Sequence, residues 1–148
     1  MVDPTGTVQQ NAQQLIYISD TNTDLGRGVF ACHELCQGEI VEIAPVVLIP
    51  LNTQPFPVQI RRLVYNWSKT QVALALGCGS LYNHSDQPNL TFKRDVENLT
   101  IIFSALREIQ LRDQLTISYD YTGSGENPRE KSWFEIHKVE KIGNKKQP

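Results

Sequence analysis

Between Leu90 and Leu106 the chain changes character at every second residue: Leu99, Ile101, Phe103 and Ala105 alternate with Thr100, Ile102, Ser104 and Leu106. A period of two belongs to an extended strand with opposite faces and not to a helical stripe. Asp95-Val96-Glu97-Asn98 joins this run to residues 90–94 as a four-residue connection, which predicts an antiparallel hairpin. The rest of the chain is divided in the same way. Residues 15–18, 29–31, 39–47, 72–76 and 115–119 read as short strands, separated by polar turns at 19–24, Gln37-Gly38 and Gly77-Cys78-Gly79. Pro50, Pro55 and Pro57 deny both helix and ladder to residues 50–57. Ile60, Leu63, Val64 and Trp67 have the spacing of one helical face, so a short helix is expected over 58–67. The fold class that follows is mainly β, several small sheets with a short helical insert.

At 148 residues and 40% hydrophobic content, the chain can bury one core and is short for two. The expected organisation is a polar, Gln-rich lead over 1–14, a domain over 15–121, and a segment over 122–148 that closes a pocket or forms a tail. A net charge of -2 and a pI of about 5.9 supply no basic field, so direct nucleic-acid binding is not expected. Lys138, Lys141, Lys145 and Lys146 gather near the end, but Glu135 and Glu140 lie among them, as on a solvated segment. Cys32, Cys36 and Cys78 are too few and too unevenly spaced for a disulfide framework or a four-ligand zinc site, so reduced thiols and no metal are expected. Residues 1–14 lack the basic-then-apolar order of a signal peptide. The most apolar stretch, 43–51, is short and broken by Pro45 and Pro50, which argues against a membrane span. These features predict a soluble, cytoplasmic chain, or a nuclear one in a eukaryote.

Three motifs carry chemistry. Gly26-Arg27-Gly28-Val29-Phe30-Ala31 comes first, then Asn83-His84-Ser85-Asp86-Gln87-Pro88-Asn89, then Asp113-Gln114-Leu115-Thr116-Ile117-Ser118-Tyr119. Each is weak alone. Gly-x-Gly marks many tight turns, and here it lacks the third glycine and following helix of a dinucleotide fingerprint. Asn-His-Ser with Pro and Asn is turn-forming sequence, and strands ending in tyrosine are common. In this order and at these distances, however, they resemble the SET-domain lysine methyltransferases, a β-clip-like fold. The resemblance runs over about 15–121 and is to a small, minimal member.

That resemblance implies S-adenosylmethionine as cofactor and a protein or peptide substrate bearing lysine. It implies that Gly26, Arg27 and Gly28 bring bare backbone to the methionine end of the cofactor, a task suited to residues without Cβ. Asn83 would meet the cofactor's amino-acid portion and the backbone of His84 its adenine edge. Tyr119 would lie beside the sulfonium and the target amine, as the catalytic residue. Tyr82, Tyr121 and Trp133 would line the substrate channel, while each has a packing role as its alternative; Tyr17 and Tyr65 are core or channel-wall candidates. The chain departs from the family where many members have Cys and it has Asp86, and where many have Glu and it has Gln114. Ile117 stands where several carry Phe or Tyr, and no cysteine follows Tyr121 to form a zinc cluster. A domain this small could complete its substrate groove as a homodimer. The rival readings are a SET-like module that binds peptide without turnover, and a β-rich protein sharing only the glycine turn.

Overall fold

A computed structural model of the chain describes residues 14–52 and 56–119. Among these described residues, nine strands and one short helix follow one another: β1 (Ile16–Asp20), β2 (Arg27–Ala31), β3 (Ile40–Pro50), α1 (Val58–Arg61), β4 (Val64–Asn66), β5 (Gln71–Ala75), β6 (Asn83–His84), β7 (Leu90–Asp95), β8 (Thr100–Ala105) and β9 (Gln114–Ile117). They form a four-stranded sheet of order β1-β2-β9-β6 and a five-stranded sheet of order β4-β5-β3-β8-β7. The mainly β class with several small sheets is therefore observed.

Alternation decides which side chains face inward. In β8, Ile101, Phe103 and Ala105 are buried while Thr100, Ile102 and Ser104 are half-buried; in β9, Leu115 and Ile117 are buried between more open neighbours. Val29 and Ala31 of β2 join them, so one core lies under both sheets. Removing this apolar surface from water supplies the driving force for a fold that has little helix of its own. Phe103 sits at its centre, with Tyr82 at 4.7 Å, Tyr65 at 6.0 Å in an edge-on arrangement and Phe92 at 6.0 Å between ring centroids.

The β7–β8 hairpin is present with a four-residue connection, which lies one residue further along than expected. Asp95 opposes Thr100, so the connection is Val96-Glu97-Asn98-Leu99. The Asp95 carboxylate accepts bonds from the backbone N–H and side-chain amide of Asn98, and Leu99 turns the corner with φ 52°. Those bonds hold the Asp95 carboxyl below the usual carboxylate range.

The helix expected over 58–67 is corrected: only Val58–Arg61 is helical, and Val64–Asn66 is a strand paired with β5. A spacing of 60, 63, 64 and 67 fits a helix face over ten residues. It fits equally a helical turn followed by a strand that buries Val64 and delivers Trp67 to the core. Pairing with β5 settles the matter, and Trp67 and Ser68 close the turn by donating to the Gln71 carbonyl. Likewise β1 extends to Asp20, and the polar turn lies two residues further along, at 21–26, closed by Thr21 N–H to Gly26 C=O at 2.8 Å.

Candidate active site

β9 is the strand on which the site is assembled. It pairs antiparallel with β2, Val29 opposite Leu115 and Phe30 opposite Gln114. On its other edge it pairs in parallel with β6, Asn83 opposite Thr116 and His84 opposite Ile117. Three motifs scattered through the sequence therefore occupy adjoining strands of one sheet. Asn89, only 4% exposed, secures the arrangement: its side-chain amide donates to the Gln114 carbonyl and its oxygen accepts the Thr116 N–H, both at 2.8 Å. One carboxamide thus satisfies a donor and an acceptor on β9, as a neighbouring backbone would.

The two glycines differ. Gly26 has φ 73°, a left-handed conformation costly for side chains, and a Cβ there would meet nothing within 4 Å, so its backbone is open to approach. Gly28 is not open in that way. A Cβ there would come within 2.8 Å of the Gln114 side-chain nitrogen, 3.0 Å of the Thr21 methyl and 3.1 Å of the Asn83 side-chain nitrogen. At Gly28 the absence of a Cβ makes room for the chain's own Gln114, Thr21 and Asn83 side chains. Asn83 Nδ2 donates to the Arg27 carbonyl at 3.2 Å, tying β6 to the glycine turn.

His84 is held from both ring nitrogens. Nδ1 accepts the Tyr119 N–H at 3.1 Å, and Nε2 lies 3.0 Å from the exposed Asp86 carboxylate. With Nδ1 accepting, the ring proton belongs on Nε2. A carboxylate is thus present at one ring nitrogen, and the other is engaged by the backbone N–H of Tyr119. Among the described residues no group of three His, Cys, Asp or Glu could hold a metal ion.

Tyr119 is fixed at its other end as well: its hydroxyl donates to the Tyr82 carbonyl at 2.8 Å, and burial pushes it up to about 12. It stands in a cleft of about 440 Å³, mouth included, whose walls include Tyr65, Phe92, Ile117, Ser118 and Arg62. Tyr82 belongs to the floor. It is 1% exposed, and its hydroxyl is committed to the Glu42 carboxylate at 2.7 Å, so it lines the cleft with its ring. Glu42 also accepts the Cys78 N–H at 2.8 Å, and burial together with this carboxylate raises both the Tyr82 hydroxyl and the Cys78 thiol. Tyr65, its hydroxyl bonded to the Gly79 carbonyl and raised by burial, is a wall of the cleft. Glu42 was not legible as a site residue, since one acidic residue inside an apolar run signals only an outward strand position. Tyr121 and Trp133 lie outside the described residues.

Tyr119 thus joins an apolar, tyrosine-walled cleft to the Asn-His segment, and the glycine turn leads into β2 of the same sheet. The SET-domain family model matches residues 26–120. The chain belongs to the SET-domain family. It is 37% identical over 97 residues to the Schizosaccharomyces pombe histone-lysine N-methyltransferase specific for H3 lysine 37, a match spanning 64% of this chain and 66% of that protein. Among solved structures it is similar to a Plasmodium falciparum candidate histone methyltransferase, with 36% identity, TM-score 0.59, and coverage of 72% of this chain and 94% of that one. It shares its fold with a chain of ctPRC2 solved in complex with H3K27me3 and H3K27M, at 17% identity and TM-score 0.59, covering 70% of this SET-domain chain and 14% of that one.

Proposed function

We propose that this SET-domain chain is a protein-lysine N-methyltransferase that uses S-adenosylmethionine. The observation that carries the reading is that β2, β9 and β6, which bear the three motifs, adjoin in one sheet, with Tyr119 just beyond β9 in the wall of an apolar cleft. Family membership and the names of the relatives support it.

Methyl transfer from a sulfonium to an amine is a direct displacement, so alignment and a neutral nucleophile matter more than acid catalysis. A free lysine with pKa about 10.4 must be neutralised at a cost near 4.6 kcal/mol at pH 7. Walls of Tyr65, Phe92 and Ile117 desolvate the ammonium and so favour the free amine. Tyr119, its own proton given to the Tyr82 carbonyl, offers lone pairs that accept an amine N–H and aim the nitrogen. Residues Gly26, Arg27, Asn83 and the His84 backbone would hold the cofactor, which supplies the electrophilic methyl group when bound. The fit is supported by the open backbone at Gly26 and by the amide groups gathered beside Gly28.

The substrate is a lysine-bearing protein, and the relatives named as histone methyltransferases make histone H3 the first to test. A histone substrate would place a eukaryotic chain in the nucleus, the second of the two compartments the sequence allows. The decisive experiment incubates the purified chain with labelled S-adenosylmethionine and a histone peptide array and reads methyl-lysine by mass. Transfer to a lysine is expected. Cofactor binding with no transfer to any peptide would make it a binding module.

A further inference from the structure

Cross-strand partners lie on the same side of a sheet, so Tyr17, Phe30 and Gln114 share one face of the four-stranded sheet with Asn83 and Thr116. Tyr17 and Phe30 stack at 5.6 Å, and Leu115 and Ile117 point the other way into the core. Gln114 is consequently turned away from the core, toward the glycine turn. Its backbone is fixed by Asn89. Its side-chain nitrogen is buried with no hydrogen-bond partner, the one such buried side-chain atom among the described residues.

An amide nitrogen is donor-only, and burying it unpaired costs on the order of 1 to 3 kcal/mol. A buried polar group of this kind calls for a partner, and a bound ligand can supply one. Asn83 uses one of its two amide protons on the Arg27 carbonyl, so a second points elsewhere. Both nitrogens lie about Gly28, 2.8 Å and 3.1 Å from where its Cβ would be. Paired N–H donors call for an acceptor with two oxygens, a carboxylate. The terminal carboxamide torsion of glutamine is broad, so a modest turn carries its nitrogen to a ligand oxygen.

We infer that Gln114 is a cofactor-selecting residue: with Asn83, its side-chain amide donates to the carboxylate at the amino-acid end of S-adenosylmethionine. The inference rests on the cofactor reading above and adds a residue to it.

The test is calorimetric titration of the wild type, Gln114→Ala and Gln114→Glu with S-adenosylhomocysteine and with its decarboxylated analogue, which keeps nucleoside, sulfur and amine. For S-adenosylhomocysteine we expect about tenfold weaker binding in Gln114→Ala, equivalent to about 1.4 kcal/mol, and a comparable loss in Gln114→Glu, which lacks the same N–H donor. The decarboxylated analogue should bind all three alike. Unchanged S-adenosylhomocysteine affinity in Gln114→Ala, or equal losses for both ligands, overturns the assignment while leaving the cofactor reading intact. If neither variant folds, the wild-type Gln114 side-chain ¹⁵NH₂ resonance decides: it should shift with S-adenosylhomocysteine and not with the analogue, and an unmoved resonance refutes the contact. A wild type that binds neither ligand removes the cofactor reading and this inference together.

Discussion

Tyr119 is held by two bonds that together fix which way it can act. Its N–H is given to His84 Nδ1 and its hydroxyl proton to the Tyr82 carbonyl, so toward the cleft it presents oxygen lone pairs. Tyr119→Phe keeps the ring and loses the hydroxyl, both its lone pairs toward the cleft and its bond to the Tyr82 carbonyl. If those lone pairs matter chiefly as the amine lines up, kcat should fall on the order of a hundredfold while cofactor affinity stays within a few-fold. Full turnover in the variant would transfer the role to another tyrosine. His84→Ala separates positioning from cofactor contact through backbone: the side chain is lost and the main chain kept. It should lower kcat through a misplaced Tyr119 with little change in cofactor affinity, whereas Asn83→Ala should weaken cofactor binding strongly in a titration and leave the fold cooperative. The reversed pattern would exchange the two roles.

At the scale of elements, the hairpin was readable because alternation is a strictly local signal: each residue of β8 announces its own face. The same is true of the inward set of β9. What could not be read is pairing between distant segments. Nothing in Asn83 or Thr116 alone says that β6 lies parallel to β9, and nothing in Asn89 says that its carboxamide serves as backbone for that strand. The 58–67 segment failed for a related reason, since a strand of three residues is too short to show a period against a helical one. The glycines were legible as turns but not as contacts: Gly79 is required because a Cβ would meet the Ala75 Cβ at 2.7 Å and the Ala44 Cβ at 3.0 Å. Two predictions follow the elements. Asn89→Ala leaves a buried carbonyl and a buried N–H on β9 without partners and should destabilise the fold by on the order of 3 kcal/mol in urea denaturation. Gly79→Ala overpacks β5 against β3 and should lose about 1 to 3 kcal/mol. Wild-type midpoints in either variant would show that the strands tolerate what the packing forbids.

For the whole molecule, one core beneath two sheets gathers the hydroxyls of Tyr65, Tyr82 and Tyr119 into a region where ionisation is disfavoured, chiefly by burial. The Glu42 carboxylate adds to the rise at Tyr65 and Tyr82. A group whose folded pKa lies above its unfolded one stabilises the fold fully below the unfolded value, and that contribution is lost as pH rises through the folded one. For tyrosine the unfolded value is near 10, and for Tyr119 the folded one is about 12. Stability should therefore be insensitive to these tyrosines at neutral pH and decline from about pH 10 toward pH 12. Activity and stability then part company. The rate should climb from neutral toward alkaline pH as the substrate lysine gives up its proton, unless the cleft has already lowered that pKa, and Tyr119, still protonated, should impose no downturn below pH 10. Thermal melts across pH 7 to 12, read alongside phenolate absorbance, test this directly: the buried tyrosines should ionise only as the melting temperature collapses. Phenolate formation by all five tyrosines near pH 10 in a chain that is still folded would mean that the cleft is wet, and with it the argument for desolvating the lysine would fail.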